Sequence, residues 1–283
     1  MHRTGIFFHY QQGERLKDFP EALGNILEKE NVVYYDAKYE LSEGLFQAKP
    51  VPEELLTQVH DPEMIRRVKQ TEGFEGALYS AGGAIQAGEL IFEDAIDNAF
   101  VFTGYGDHHA GRNNFGGGCY LNSAALSIAN LREKYGVRKF AIVDTDAHHG
   151  DGTWELFEDD SEVLYLCFCR GRFPERNNNV NITVPWQVDD ELYLSLVERE
   201  FLPRVERHKP ELIFWNYGYD GTRGEYGDMG LSENCHPRLA KIFTSAAEQV
   251  CRGRLITVLC GGSSRSIATY TIPKIIACLA GLG

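Results

Sequence analysis

The sequence predicts an α/β fold: a single domain over residues 1–283, with a mainly parallel central sheet and helices on both faces. Three observations carry that expectation. Short apolar runs alternate with amphipathic helical patterns from end to end, as a sheet buried on both faces requires. No repeat, low-complexity tract or Ser/Gly linker divides the chain. Polar, glycine-rich segments gather just after the later apolar runs, where an open parallel sheet holds its ligands.

Taken in order, strands are expected at 5–9, 32–37, 99–103, 140–144, 163–168, 212–217 and 255–260. Each is a short apolar run that ends in polar or glycine residues. Helical patterns lie between them at about 52–70, 77–92, 121–135, 190–207, 237–251 and 273–280. The last two are read as starting on Pro237 and Pro273, since a first-turn proline loses no hydrogen bond. The loops after the third, fourth, sixth and seventh strands read GYGDHHAGRNNFGGG, TDAHHGDGT, GYDGTRGEYGDMG and GGSSRS. Four of the nine histidines fall in two of these loops.

Composition narrows the function. The chain is 43% hydrophobic and 24% charged, ordinary globular values that exclude collagen, coiled coil and long disorder. Its net charge of −13 argues against a basic face for nucleic acid. The apolar runs are too short to span a bilayer, and the N-terminus lacks a signal-peptide cleavage site, so the chain is expected in the cytoplasm. Seven cysteines, an odd number scattered along the chain, suit reduced thiols. Cys167 and Cys169 have no second CxxC and are read as structural.

The densest chemistry is Asp144-Thr145-Asp146-Ala147-His148-His149-Gly150-Asp151. If the strand stays extended past Asp144, then Asp144, Asp146 and His148 share one side, because strand side chains alternate. Two carboxylates and an imidazole facing together call for a compensating cation or hydrogen-bond network, and a divalent metal compensates directly. These donors suit zinc, and also iron(II), manganese or cobalt. A third ligand from another strand-end loop would be Asp220 or Asp228. Nearby, His108-His109 supplies the proton donor and acceptor that amide hydrolysis needs, with Asp144 and Asp151 available to orient the rings.

With these residues assembled, the sequence resembles the histone deacetylase superfamily, which includes acetoin-utilisation proteins and acetylpolyamine amidohydrolases and has the arginase–deacetylase fold. GDHHA followed by Cys119-Tyr120-Leu121-Asn122 looks like the family's GHHA…GFCxxN. DTDAHHGDGT looks like DxDxHHGxGT, the most specific of the matches. WNYGYD…GDMG and VLCGG look like SAGFD…DPLG and LEGGY. The resemblance implies a metal held by Asp146, His148 and Asp228, the last because it opens the DMG that stands where DPLG would. It implies His109 as general base and His108 as its partner, with Asp144 and Asp151 as their carboxylates. Asp144, Asp146 and the backbone at His148 would help to hold potassium. The expected reaction is metal-dependent hydrolysis of an acyl-lysine or acylated amine.

The sequence departs from the family at four places. Gly118 replaces the aromatic before the cysteine, leaving one wall of the acyl tunnel to Phe115 or to none. Cys167 and Cys169 stand where the family has serine and histidine, which bears on the potassium site. Eight residues separate Asp220 from Asp228, more than usual. Ser263 replaces the tyrosine that donates to the oxyanion, a group worth about 100–1000-fold in rate. Tyr270, Tyr226 and Tyr105 are the candidates to replace that tyrosine. Two other readings compete: a weakly catalytic relative that binds metal and an acyl ligand, and a ureohydrolase-like enzyme with two metals.

Overall fold

Among the described residues, eight parallel strands form one sheet, seen in a computed structural model of the chain. Residues 2–8, 23, 29, 31–36 and 50–282 are described. The strands are β1 (Thr4–Phe8), β2 (Val32–Asp36), β3 (Asn98–Val101), β4 (Phe140–Asp144), β5 (Val163–Cys169), β6 (Asn179–Thr183), β7 (Leu212–Tyr217) and β8 (Leu255–Leu259). All seven expected strands are present within a few residues. The expected ends at His9 and Ala37 lie outside the described residues. Strand β6 was not foreseen, because NVNIT is polar at alternate positions and sits at the sheet edge.

The helices are α1 (Glu53–Val59), α2 (Pro62–Val68), α3 (Phe74–Phe92), α4 (Ser123–Tyr135), α5 (Asp151–Phe157), α6 (Asp190–His208), α7 (Cys235–Cys251) and α8 (Arg265–Leu279). The single helix expected at 52–70 is two, because Pro62 forces Asp61 out of the helical region and restarts the helix. Neither proline read as a start begins its helix. Pro237 lies in the first turn of α7, and Pro273 lies inside α8, which starts at the Ser264 cap. Helix α5, with only seven residues, was not foreseen.

Alternation along each strand divides the core between the two faces. On β7, Ile213, Trp215 and Tyr217 pack with residues of α6, α7 and α8, whereas Leu212 and Phe214 pack with those of α1, α3 and α4. Complete burial of side chains this large contributes about 1.5–3 kcal/mol each. Trp215 also donates its indole N–H to Thr145 Oγ1 at 2.8 Å, tying the core to the turn after β4.

The strand order explains why four loops meet. Strands β3, β8, β7 and β4 are consecutive across the sheet, so the loops that leave their carboxyl ends are neighbours. Two buried histidines brace this edge. His60 Nδ1 meets the Gly111 carbonyl at 2.7 Å, and its Nε2 accepts the Asn122 N–H at 3.2 Å. His236 Nε2 lies 2.7 Å from Thr222 Oγ1 in the loop after β7. Among the described residues, no helix is long and apolar enough to cross a membrane.

Burial pushes both imidazoles down, each to about 4, so they are neutral in the fold and protonate earlier when it unfolds. Between pH 6.5 and 4 the unfolded chain therefore binds more protons, and stability falls as pH falls. We expect the melting temperature to drop across this window. His236→Gln, which does not titrate, should flatten the drop; an unchanged slope would show that His236 does not contribute.

Candidate active site

Strand β4 ends at Asp144, and the chain then turns instead of continuing extended. The Asp146 N–H donates to Asp144 Oδ1 at 3.1 Å, and the His148 N–H donates to Asp146 Oδ1 at 2.9 Å. Aspartate favours such local side-chain-to-backbone turns, which is why the extended reading of this segment does not hold. The turn still aims Asp146 and His148 at one point. Asp220, arriving from the loop after β7, completes the group: one donor atom from each of Asp146, His148 and Asp220 lies within 4.8 Å of the others.

These carboxylates are almost wholly inaccessible, with Asp146 1% and Asp220 0% exposed. Asp220 Oδ1 accepts the Ala147 N–H at 3.1 Å. Its Oδ2 faces His148 Nδ1 at 2.8 Å, without the alignment of a hydrogen bond. Asp146 and Asp220 raise the His148 imidazole to about 10. Glycines supply the room: a Cβ at Gly261 or Gly218 would collide with Asp146 Oδ2, and one at Gly227 would come within 2.7 Å of Asp220 Oδ2. Two carboxylates and an imidazole around a space kept clear by glycines are a donor set that fits zinc or a similar ion.

Asp228 is not part of this group, which corrects the assignment made from the DMG motif. Its two oxygens accept the N–H groups of Gly224 and Gly230 at 3.0 and 2.9 Å, so the carboxylate is spent on closing its own turn. The residue that this loop brings beside Asp146 and His148 is the alternative, Asp220.

The two histidines form separate pairs with different surroundings. His108, 2% exposed, places Nδ1 2.8 Å from Asp144 Oδ2 and Nε2 3.7 Å from Asp146 Oδ1. Burial disfavours its charged form, but Asp144 and Asp146 outweigh that and hold its pKa well above the usual value. His109 is more accessible and places Nδ1 2.5 Å from Asp151 Oδ1. The Tyr165 hydroxyl donates to Asp144 at 2.8 Å. Buried Asp107, pushed up to about 7 by desolvation, accepts the Ser123 and Ala124 N–H groups at the start of α4 and so fixes the preceding loop. Asp107 and Tyr165 were missed in the sequence, because neither stands out without its partners.

A cavity of about 380 Å³ opens over this centre, lined by His108, His109, Asp146, His148 and Tyr226. Gly117 and Gly118, both at positive φ, form one side, and Tyr105 and Tyr120 another. Phe115 lines a separate recess beside His109 and Asp151. Ser263 is not among the lining residues: it is exposed, and its hydroxyl donates to Glu225 Oε2 at 2.8 Å. Ser263, expected in the catalytic group, thus lies off the cavity that holds His108, His109 and Asp146. Glu225, only 6% exposed, also accepts the Ser263 and Ser264 N–H groups and holds these two serines off the cavity, which Cys260 and Gly261 of the same loop line. Tyr270 is engaged elsewhere, donating to Asn234 Oδ1 at 2.7 Å. Tyr226 is the tyrosine beside the trio. Its ring stacks on His148 at 5.6 Å, and its oxygen accepts the Gly262 N–H at 2.9 Å.

Comparison with known proteins agrees with this architecture. The histone deacetylase domain matches residues 72–279. An Archaeoglobus fulgidus protein named "Probable deacetylase" is 30% identical, with 98% of this chain and 86% of that protein covered. Human polyamine deacetylase HDAC10 is 27% identical over 76% of this chain but only 38% of its own length. The Pseudomonas aeruginosa histone deacetylase-like amidohydrolase is 26% identical, covering 84% and 71%. The solved HDA15 HD domain superposes with a TM-score of 0.82 at 21% identity, covering 100% of this chain and 90% of that one. The chain belongs to the histone deacetylase family, and its relatives are deacetylase-type hydrolases.

Asp220→Asn should abolish retention of a divalent metal through dialysis, whereas Asp228→Asn should leave it intact. Elemental analysis decides this, and the reverse outcome would restore Asp228 to the ligand set.

Proposed function

We propose that the protein is a metal-dependent amide hydrolase that removes the acyl group from an acyl-lysine or acylated amine. The observation that carries this reading is the convergence, on one cavity, of the Asp146–His148–Asp220 trio and the two carboxylate-paired histidines. A zinc ion, or iron(II), manganese or cobalt, held by the trio would supply a Lewis acid for the acyl carbonyl and for the attacking water.

The remaining steps fall to the chain itself. Asp151 fixes His109 through Nδ1, which leaves Nε2 to take a proton from water in the cavity. Asp144 and Asp146 hold the buried His108 protonated, so it contributes positive charge and proton supply beside the departing amine. The Tyr226 phenol, on the cavity wall, donates to the carbonyl oxygen as negative charge develops there, the role that Ser263 cannot fill from its contact with Glu225. Free cysteines throughout the chain and the net charge of −13 suit a cytoplasmic enzyme acting on cationic amines.

A second reading is favoured by the displacement of Ser263: a metal-bearing relative that binds an acyl ligand without turning it over. Purified protein with stoichiometric metal and no turnover on acetyl-lysine peptides or acetylated polyamines would select it. The two-metal ureohydrolase reading has no support in a second oxygen-rich donor group among the described residues.

For the hydrolase, His109→Ala should lower kcat by about 10²–10⁴-fold and more than His108→Ala, with metal content unchanged in both. Equal, small losses would remove the histidine pair from proton transfer. Tyr226→Phe should lower kcat by about 10²–10³-fold with little change in KM, whereas Ser263→Ala should have little effect. Full activity in Tyr226→Phe would place the oxyanion donor elsewhere.

A further inference from the structure

Beside the active site, and on the other side of the 148–149 peptide, lies a second cluster of metal-ligating atoms that the hydrolytic mechanism does not use. Cys167 and Cys169 are two apart on β5 and so face the same side, where they are 0% and 1% exposed. His149, next in the chain to His148, turns its Nδ1 to within 3.7 Å of Cys169 Sγ. One donor atom from each of the three lies within 4.8 Å of the others. We propose that His149, Cys167 and Cys169 form a second metal site, for a thiophilic ion of the zinc class.

The spacing fits the ion. With Zn–S at about 2.3 Å and Zn–N at about 2.0–2.1 Å, tetrahedral geometry separates sulfur from nitrogen by about 3.6 Å. The surroundings fit as well. Asn181 Nδ2 donates to Cys169 Sγ at 3.2 Å and to the Cys167 carbonyl at 3.3 Å, a contact that holds the sulfur in place. Phe173 lies flat on the His149 ring, with centroids 3.6 Å apart and planes 10° apart, and Trp154 stands 5.0 Å away. These rings hold the imidazole in place.

A packing role alone does not account for the cluster. A cysteine buried only as a small apolar side chain meets apolar neighbours. The Cys169 sulfur instead meets Asn181 Nδ2 at 3.2 Å and His149 Nδ1 at 3.7 Å, and a donor atom of Cys167 lies within 4.8 Å of both Cys169 and His149. Sulfur donors disfavour a hard ion such as potassium and favour a soft one. A bound ion would fasten β5 to the turn that carries Asp146 and His148.

The test uses the full chain stripped of metal and titrated with Co²⁺. Thiolate–cobalt bonds give a near-ultraviolet charge-transfer band that the oxygen and nitrogen donors of Asp146, His148 and Asp220 cannot produce. The wild type should develop this band to one equivalent and hold two zinc ions per chain. Cys167→Ser with Cys169→Ser should lose the band and one zinc ion. His149→Gln, which leaves the buried sulfurs packed, should weaken cobalt binding at least 10-fold if the serine variant fails to fold. Asp146→Ala should keep the band while losing the other ion, so the outcome is independent of the hydrolase reading. Absence of the band in the wild type, or its survival in the cysteine variant, overturns the proposal.

Discussion

Three buried aspartates at the ends of adjacent strands set the terms for everything around them. Asp144, Asp146 and Asp220 are at most 1% exposed, and each buried carboxylate costs several kcal/mol unless its charge is met. The fold meets it with backbone N–H groups at Asp146, His148 and Ala147, with the Tyr165 hydroxyl, and with the His108 and His148 rings. Glycine is required at 218 and 261 for the same reason, since a Cβ there would fill the space the carboxylates need. The charge that remains is what a divalent cation would neutralise.

The same constraint separates the two histidines. His108 lies between two aspartates inside the protein, and their field holds its proton. His109 has one partner, the half-exposed Asp151, and reaches the cavity. Adjacent residues of one type thus stand in different surroundings, one buried between two carboxylates and one open to the cavity beside a single carboxylate.

Much of this was legible in the sequence because the chemistry is local. The DTDAHHGDGT segment carries Asp144, Asp146 and His148 within five residues, and the strands around it are apolar runs that can form little else. What was not legible depends on three-dimensional closure. Asp220 and Asp228 share a loop and a residue type, and only the fold shows that Asp228 spends its oxygens on Gly224 and Gly230. The extended reading past Asp144 failed because aspartate side chains compete for the backbone N–H two residues on. Pro273 was read as a helix start, yet the Ser264 cap lies nine residues earlier and α8 absorbs the proline. Edge strand β6 and short α5 have too little apolar periodicity to stand out.

The position of Tyr226 follows from sheet order. Strands β7 and β8 are neighbours, so the loops that leave them border the same cavity and a group can be supplied from either. Here the β8 loop carries serines, and Glu225 of the β7 loop accepts their backbone N–H groups and the Ser263 hydroxyl. That contact draws the two loops together, and the residue after Glu225 is the tyrosine whose oxygen accepts the Gly262 N–H. One side chain therefore holds Ser263 and Ser264 off the cavity, and the next residue, Tyr226, lines it. On the proposed reading, the β7 strand end would supply through Tyr226 the donor that Ser263 does not offer, with the sheet and the Asp146–His148–Asp220 geometry unchanged.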